Sequence, residues 1–316
     1  MDPVVERHVI IHHPCRVEPS LDRTANTEPV EVAGVADSLN RFVNGRHQES
    51  VDGRLDDFGH RASRMCDHGR PAGHCFHHTE AKRLVDTPVI TTIHGFASDA
   101  TLPAYLEYAD RVQSVAISDA DRHPALPYAG TIHHGIDIGS FEVGPGGDSL
   151  VFFGRIHPDK GTATAIEVAN RAGIPLVIAG IVQDHEYFET AVEPHVDGEG
   201  VSYLGPVGPD RRQEVLGSAR ALLHLIDFDE PFGFSVVEAM ACGTPVIAYA
   251  RGSMPEIIQP GINGYLVSMI DEAVEAARDA DRLDRLGVRH SIERRFDAAR
   301  MVGDYVALYR RILARG

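Results

Sequence analysis

Two stretches decide the fold: SLVFFGRIHPDKG at Ser149–Gly161 and EPFGFSVVEAMACGTPVIA at Glu230–Ala248. In the first, a short apolar run stops at Gly154, and a polar loop then opens the amphipathic stretch TATAIEVANRAG. In the second, a tight turn at Pro231–Ser235 opens a helix, and TPVIAYA follows it as a further apolar run. Working outward, PLVIAGI (175–181) and ALLHLI (221–226) have the same unalternating character, as strands covered on both faces require. Between the runs lie PDRRQEVLGSAR, SVVEAMACG and DEAVEAARDADRLDRLG, each expected to be helical. Strand alternating with helix at this spacing predicts βαβ units and a mostly parallel sheet, so residues 150–270 read as a doubly wound α/β domain. Upstream, TPVITTIHG (87–95) and SVAISDADR (114–122) read as two more strands of this kind. The closing stretch SIERRFDAARMVGDYVALYRRILA reads as one helix, with Phe296, Met301, Tyr305 and Leu308 near one face.

The 316 residues suffice for two α/β domains with a core each, and 43% of them are hydrophobic. No run approaches the roughly 18 apolar residues of a membrane helix. The start, MDPVVERHVIIHH, has no basic region followed by a long apolar stretch, so no secretory signal is expected. Four cysteines make no disulfide framework and suit a reducing cytoplasm, the expected location. A formal charge of -16 argues against nucleic acid as a partner, and weakly against a flat anionic membrane surface. Oligomeric state leaves no mark on the sequence.

Residues 1 to about 80 differ. They hold nine of the 18 histidines and three of the four cysteines, yet show no strand after VVERHVII and no clear period over 44–80, so the stretch reads as poorly packed. His12, His13, Cys15, Cys66, His68, His74, Cys75, His77 and His78 are all of metal-binding type. Paired C-x-x-C or H-x-x-x-H spacing with an intervening structured loop is missing, so no metal site is expected.

Two loops carry the chemistry. Gly154–Gly161 sits at the carboxyl end of a parallel strand, where open α/β sheets bind ligands. Arg155 and Lys160 flank it and can both point at a diphosphate, Arg as a planar fork and Lys as a point charge. Alone, this loop reads equally as a surface turn with solvated cations. At the second loop, the N–H groups of Gly233, Phe234 and Ser235 stand at a helix N-terminus, where a phosphate is stabilised. Glu238, one turn in, can accept two hydrogen bonds from ribose hydroxyls, and Glu230, before the helix, can reach those of a sugar. Both glutamates would also favour a helix start electrostatically, Glu230 more readily than Glu238. Together the loops describe cationic, amide and carboxylate walls, as a nucleotide diphospho-sugar requires.

These residues carry a resemblance. EPFGFSVVE resembles the E-x7-E motif of retaining GT-B glycosyltransferases of the large family four, and GRIHPDKG resembles its GR-x-x-x-x-KG segment. CGTPVIAYARGSMPEII and GINGYLV match the stretch that follows, and TTIHGF resembles the family's T-x-HG segment. AISDADR and IHHGIDIGSF resemble the S-x-x-x-R and N-G-ID-x-x-x-F segments, with His134 where Asn is usual. The likeness spans about residues 86–316 and is most specific over 150–267.

The resemblance implies that Arg155 and Lys160, with the loop from Gly154, neutralise the donor diphosphate. It implies that Glu238 holds the ribose, that Glu230 and the amides of Gly233, Phe234 and Ser235 hold the donor sugar, and that the Gly205-Pro206-Val207 loop cradles the base. His94 would contact the donor sugar across a cleft, and Ser253, Met254 and Pro255 lie in a turn beside the pocket. The implied fold is GT-B: two Rossmann-like doubly wound domains facing a cleft. On this view residues 1–85 are an atypical N-terminal region and 86–145 the remainder of an acceptor-side domain. Residues 146–290 form the nucleotide-sugar domain, and 291–316 a helix crossing back. The family's opening Gly-Gly loop is not found, so the N-terminal domain reads as incomplete. The implied activity is metal-independent, retaining transfer of a hexosyl unit from a UDP- or GDP-linked sugar to an acceptor the sequence does not identify. No cofactor is expected beyond the donor substrate. The competing readings are a nucleotide-sugar-binding protein without turnover and a GT-B epimerase using His94 and Glu230.

Overall fold

The computed structural model describes residues 10–12, as strand backbone, and 88–314. Of the first 85 residues it therefore describes one short strand, and the side chains in the His/Cys set of the N-terminal region lie outside the described residues.

Two compact units are formed: among the described residues the first comprises 10–12, 88–117, 121–133 and 301–314, and the second Ser118–Ala120 with His134–Arg300. In the first, strands β1 (Ile10–His12), β2 (Val89–Ile93), β3 (Val112–Ala116) and β4 (Tyr128–Thr131) pair in that order, all parallel. Helix α1 (Leu102–Glu107) follows β2. Every residue of β2 is buried, which is why TPVITTIHG shows no alternation.

The second unit has a six-stranded parallel sheet. In chain order its strands are β5 (Leu150–Phe153), β6 (Leu176–Ala179), β7 (Val201–Tyr203), β8 (Ala221–His224), β9 (Val246–Tyr249) and β10 (Gly264–Val267). In space they run β10-β9-β8-β5-β6-β7. This is the doubly wound order, with its topological switch between β5 and β8, where neighbouring strands send their chains to opposite sides. The connecting helices are α2 (Thr162–Ala172), α3 (Pro209–Gly217), α4 (Phe234–Ala241) and α5 (Ile270–Asp279), followed by α6 (Arg285–Glu293). Helices α2 and α5 bury alanines and branched residues in one cluster with β5, β6 and β8. Helix α4 buries its residues from Val236 to Ala241, the mark of a helix covered on most sides.

The closing stretch is not the single helix expected from 291. Its first residues complete α6, and a new helix, α7 (Ala298–Leu313), begins after Asp297. The Asp297 carboxylate accepts the Ala299 N–H at 2.7 Å, an N-cap that restarts the helix. Phe296 therefore does not share a face with Met301, Tyr305 and Leu308. It packs edge-on against Phe232 in the second unit, while those three join Ile90, Val115 and Ile132 in the first. DEAVEAARDADRLDRLG is likewise split, because the Asp284 carboxylate caps α6 by accepting the N–H groups of Leu286 and Gly287. No helix among the described residues is long and apolar enough to cross a membrane.

Within the first unit the hydroxyls of Tyr305 and Thr92, both buried, pair at 2.9 Å. Tyr305→Phe strands the Thr92 hydroxyl in the core. It should lower stability to guanidinium by about 1–3 kcal/mol. An unshifted denaturation midpoint would contradict this pairing.

Candidate functional site

The site grows from the carboxyl ends of β5 and β8, the two strands at the switch. After β5 the chain passes Gly154 and Arg155 into a 3-10 turn, Pro158–Lys160, steadied by the His157 imidazole nitrogen 2.6 Å from an Asp159 carboxylate oxygen. Gly161 closes the turn with φ +73°, and a Cβ there would stand 1.9 Å from the Leu225 carbonyl oxygen. The loop after β5 thus lies against the chain leaving β8, and the Asp227 N–H donates to the Asp159 carbonyl at 2.9 Å to fix it there. Only a residue with no side chain and free access to positive φ permits that approach. The result is that Lys160, far from Glu230 in sequence, meets it in space.

Lys160 Nζ lies 3.1 Å from Glu230 Oε2 and 4.3 Å from the centre of the Phe228 ring, so the ammonium is held by a carboxylate and an aromatic face. Both charged side chains are mostly buried, at 17% and 16% exposure. Glu230 is fixed through its backbone, because its carbonyl accepts the Ser253 N–H at 2.9 Å. The buried Ser253 hydroxyl donates to the Phe232 carbonyl at 2.9 Å. Ser253 thus shapes the Glu230–Phe232 turn rather than reaching into the site.

Gly233, at φ +87°, turns the chain into α4, and its carbonyl begins the helical ladder by accepting the Val236 N–H. The N–H groups of Phe234 and Ser235 open the first turn, and neither has an intrahelical partner. His134 stacks on Phe234 at 5.0 Å and meets Phe232 edge-on at 5.2 Å, so the residue standing in place of the expected Asn packs this turn in place.

One turn into α4, Glu238 is 11% exposed, with an oxygen 2.5 Å from Arg212 Nη1. Burial raises the Glu238 pKa above the usual glutamate range, and the nearby Arg212 charge only partly offsets it. Arg155 donates to the Gln183 side-chain oxygen and lies 3.8 Å from an Asp159 carboxylate oxygen.

These side chains surround a cavity of about 410 Å³ lined by Gly154, Arg155, Lys160, Glu230, Gly233, Phe234, Ser235 and Glu238, together with Phe152, Phe153, Arg212, Leu223, His224 and Ile226. Eight of the ten residues expected from sequence are therefore gathered here. Two are not. Val207 is half-buried in the loop between β7 and α3 and does not line the cavity. His94 follows β2 in the first unit, also half-buried.

Sequence reasoning passed over Arg212 and His224. Arg212 stands beside Arg211 in a polar helix, and nothing local separates them. Arg211 is 61% exposed beside Glu214, whereas Arg212 turns into the cavity. His224 carried a signal, a polar ring inside the apolar run ALLHLI. Among the described residues no three His, Cys, Asp or Glu side chains come together as a metal site would require.

The His224 imidazole is pushed down from 6.5 to about 3, first by burial and then by the Lys160 charge. Between those values the unfolded chain binds a proton that the folded chain does not, so this residue makes stability rise with pH across the window and level off above it. His224→Gln, which cannot take up that proton, should reduce the loss of thermal stability between about pH 7 and pH 4. An identical loss in both proteins would contradict a neutral imidazole.

Residues 141–284 match the family described as Glycosyl transferases group 1. The chain is 28% identical over 232 residues to D-inositol 3-phosphate glycosyltransferase of Mycolicibacterium smegmatis, covering 64% of this chain and 51% of the relative. It is 32% identical over 127 residues to N-acetyl-alpha-D-glucosaminyl L-malate synthase of Bacillus anthracis, covering 38% and 32%. The chain thus spans about half, or less, of the curated relatives it matches. Among solved structures, AviGT4, a glycosyltransferase involved in avilamycin A biosynthesis, superposes with a TM-score of 0.58 at 26% identity, covering 75% of this chain and 78% of that one. Sucrose-phosphate synthase from Thermosynechococcus elongatus gives a TM-score of 0.64 at 19% identity, covering 75% and 71%. The fold of this chain is the GT-B fold, and its residues 141–284, which contain the whole cavity, match the glycosyl transferases of group 1.

Proposed function

We propose that the chain transfers a hexosyl unit from a nucleotide diphospho-sugar to an acceptor hydroxyl, as a retaining, metal-independent enzyme of glycosyltransferase family four. One observation carries the proposal. Three cations, a helix N-terminus and two carboxylates converge on a single cavity at the switch point of a doubly wound sheet. The match to a family of glycosyltransferases over 141–284 supports it.

In this reading Lys160 and Arg155 take the diphosphate, joined by the amides that open α4. Glu238 accepts the ribose hydroxyls, with Arg212 paired to its carboxylate. Glu230 accepts hydroxyls of the transferred sugar, and the loop bearing Val207 borders the base. The bond from the anomeric carbon to the diphosphate oxygen breaks, and the diphosphate leaves with the electron pair. The acceptor oxygen bonds to the same carbon on the same face, and its proton passes to the departing phosphate. The protein's contribution is to stabilise the charge that grows on the leaving group, through preorganised cations and amides in a site shielded from water. Either a UDP- or a GDP-linked sugar satisfies these contacts.

Calorimetric titration of the full chain with UDP, GDP, UDP-glucose and GDP-mannose, without added metal, tests the reading. One base series should bind at micromolar concentration, and binding by none would remove the basis for the proposal. Glu238→Ala should weaken donor binding by about 1–3 kcal/mol, and an unchanged affinity would exclude the ribose role. Lys160→Ala should lower turnover at least about tenfold through lost leaving-group stabilisation. Intact turnover would exclude the diphosphate role.

A further inference from the structure

The last residue of β8 has no part in the roles above. His224 is 7% exposed, lines the cavity, and has its Nε2 buried without a hydrogen-bond partner among the described residues. That nitrogen lies 3.8 Å from Glu230 Oε2, too far for a hydrogen bond, while the same oxygen is 3.1 Å from Lys160 Nζ. One carboxylate oxygen therefore faces two nitrogens, an ammonium in contact and an imidazole nitrogen just out of reach. A buried polar nitrogen left unpaired is costly, and an apolar residue would finish the run ALLHLI without that cost.

A diphosphate entering this cavity changes the balance. It places more negative charge beside Lys160 than one carboxylate offers, and it draws the ammonium away from Glu230. Glu230 would then lose its nearest donor at the moment its carboxylate must face a substrate. We propose that His224 is the positioning residue for Glu230: as Lys160 moves onto the donor's diphosphate, the neutral imidazole closes its Nε2–H on Glu230 Oε2 and keeps the carboxylate aimed at hydroxyls of the transferred sugar. A neutral donor suits this task. It steadies the carboxylate without competing for the phosphate, and it leaves the second oxygen and remaining lone pairs free to accept hydroxyls. His224 thereby bears on recognition of the sugar rather than of the nucleotide. The role rests on the donor reading proposed above.

Two measurements on the full chain test it. The first uses no ligand: nitrogen-15 NMR titration of the histidines, with the His224 signal assigned by its loss in His224→Gln. In Lys160→Met the imidazole should contact Glu230 directly, and its pKa should rise by more than one unit from about 3. A value that does not move would overturn the proposal. The second is calorimetry with UDP, GDP, UDP-glucose and GDP-mannose. His224→Leu should bind the bare nucleotide within about twofold of the parent chain but the nucleotide sugar about tenfold more weakly. His224→Gln, which keeps an N–H donor, should recover most of that loss, and on a Glu230→Ala background His224→Leu should cost nothing further. Equal losses for nucleotide and nucleotide sugar, or losses that simply add, would overturn it. If the parent chain binds none of the four compounds, the donor reading itself falls and takes this role with it. That outcome is distinct from normal binding by the parent with unselective losses in the variants.

Discussion

The site depends on one constraint: five charged side chains line one partly buried cavity, and four of them compensate one another there in close pairs. Lys160 pairs with Glu230, and Arg212 pairs with Glu238. Charges taken this far from water are tolerable only when paired, and removing one member of such a pair leaves the other uncompensated at a cost of about 3–5 kcal/mol. The pairs also define what the cavity can receive. On the proposed reading, a ligand that displaces Glu230 from Lys160 is strongly anionic and offers hydroxyls to the carboxylate it frees. A diphosphate joined to a sugar meets both demands within one molecule.

The backbone sets this arrangement before any side chain is placed. β5 and β8 are neighbours in space but are separated in the chain by β6 and β7, so their carboxyl ends open towards a common crevice. Gly161 lets the loop after β5 touch the carbonyl of Leu225, and the Asp159–Asp227 hydrogen bond holds it there. Gly233 then turns the chain so that α4 points its N-terminus, and Glu238 one turn later, at the same space. Arginines from α6 secure the far side. Arg285 donates to the carbonyls of Gly144, Gly217, Ala219 and Cys242, and Arg289 donates to those of Ile138, Phe141 and Ala241.

The part of the fold that was legible in sequence is the part written locally. Buried parallel strands announce themselves as unalternating apolar runs, and SLVFF, PLVIA, ALLH and TPVIAY each form one. The loops that line the cavity were readable because a glycine, a cation or a carboxylate there stands at a strand end or helix start. Features created by tertiary contact were not. Nothing near Arg212 distinguishes it from Arg211, and the orphaned nitrogen of His224 exists only because β8 is central in its sheet. The breaks before α6 and α7 were missed because Asp284 and Asp297 sit in stretches whose hydrophobic spacing continues across them. Those two caps are also why Phe296 ends in a different core from Tyr305.

Exchange of the Lys160–Glu230 pair for a pair with a donor diphosphate would be visible in a crystal structure of the chain with bound UDP or GDP. The diphosphate should lie at the N-terminus of α4, with Lys160 Nζ within about 3 Å of a phosphate oxygen and the ribose hydroxyls on Glu238. A nucleotide bound elsewhere, or one seated in the cavity with Lys160 still on Glu230, would contradict this exchange.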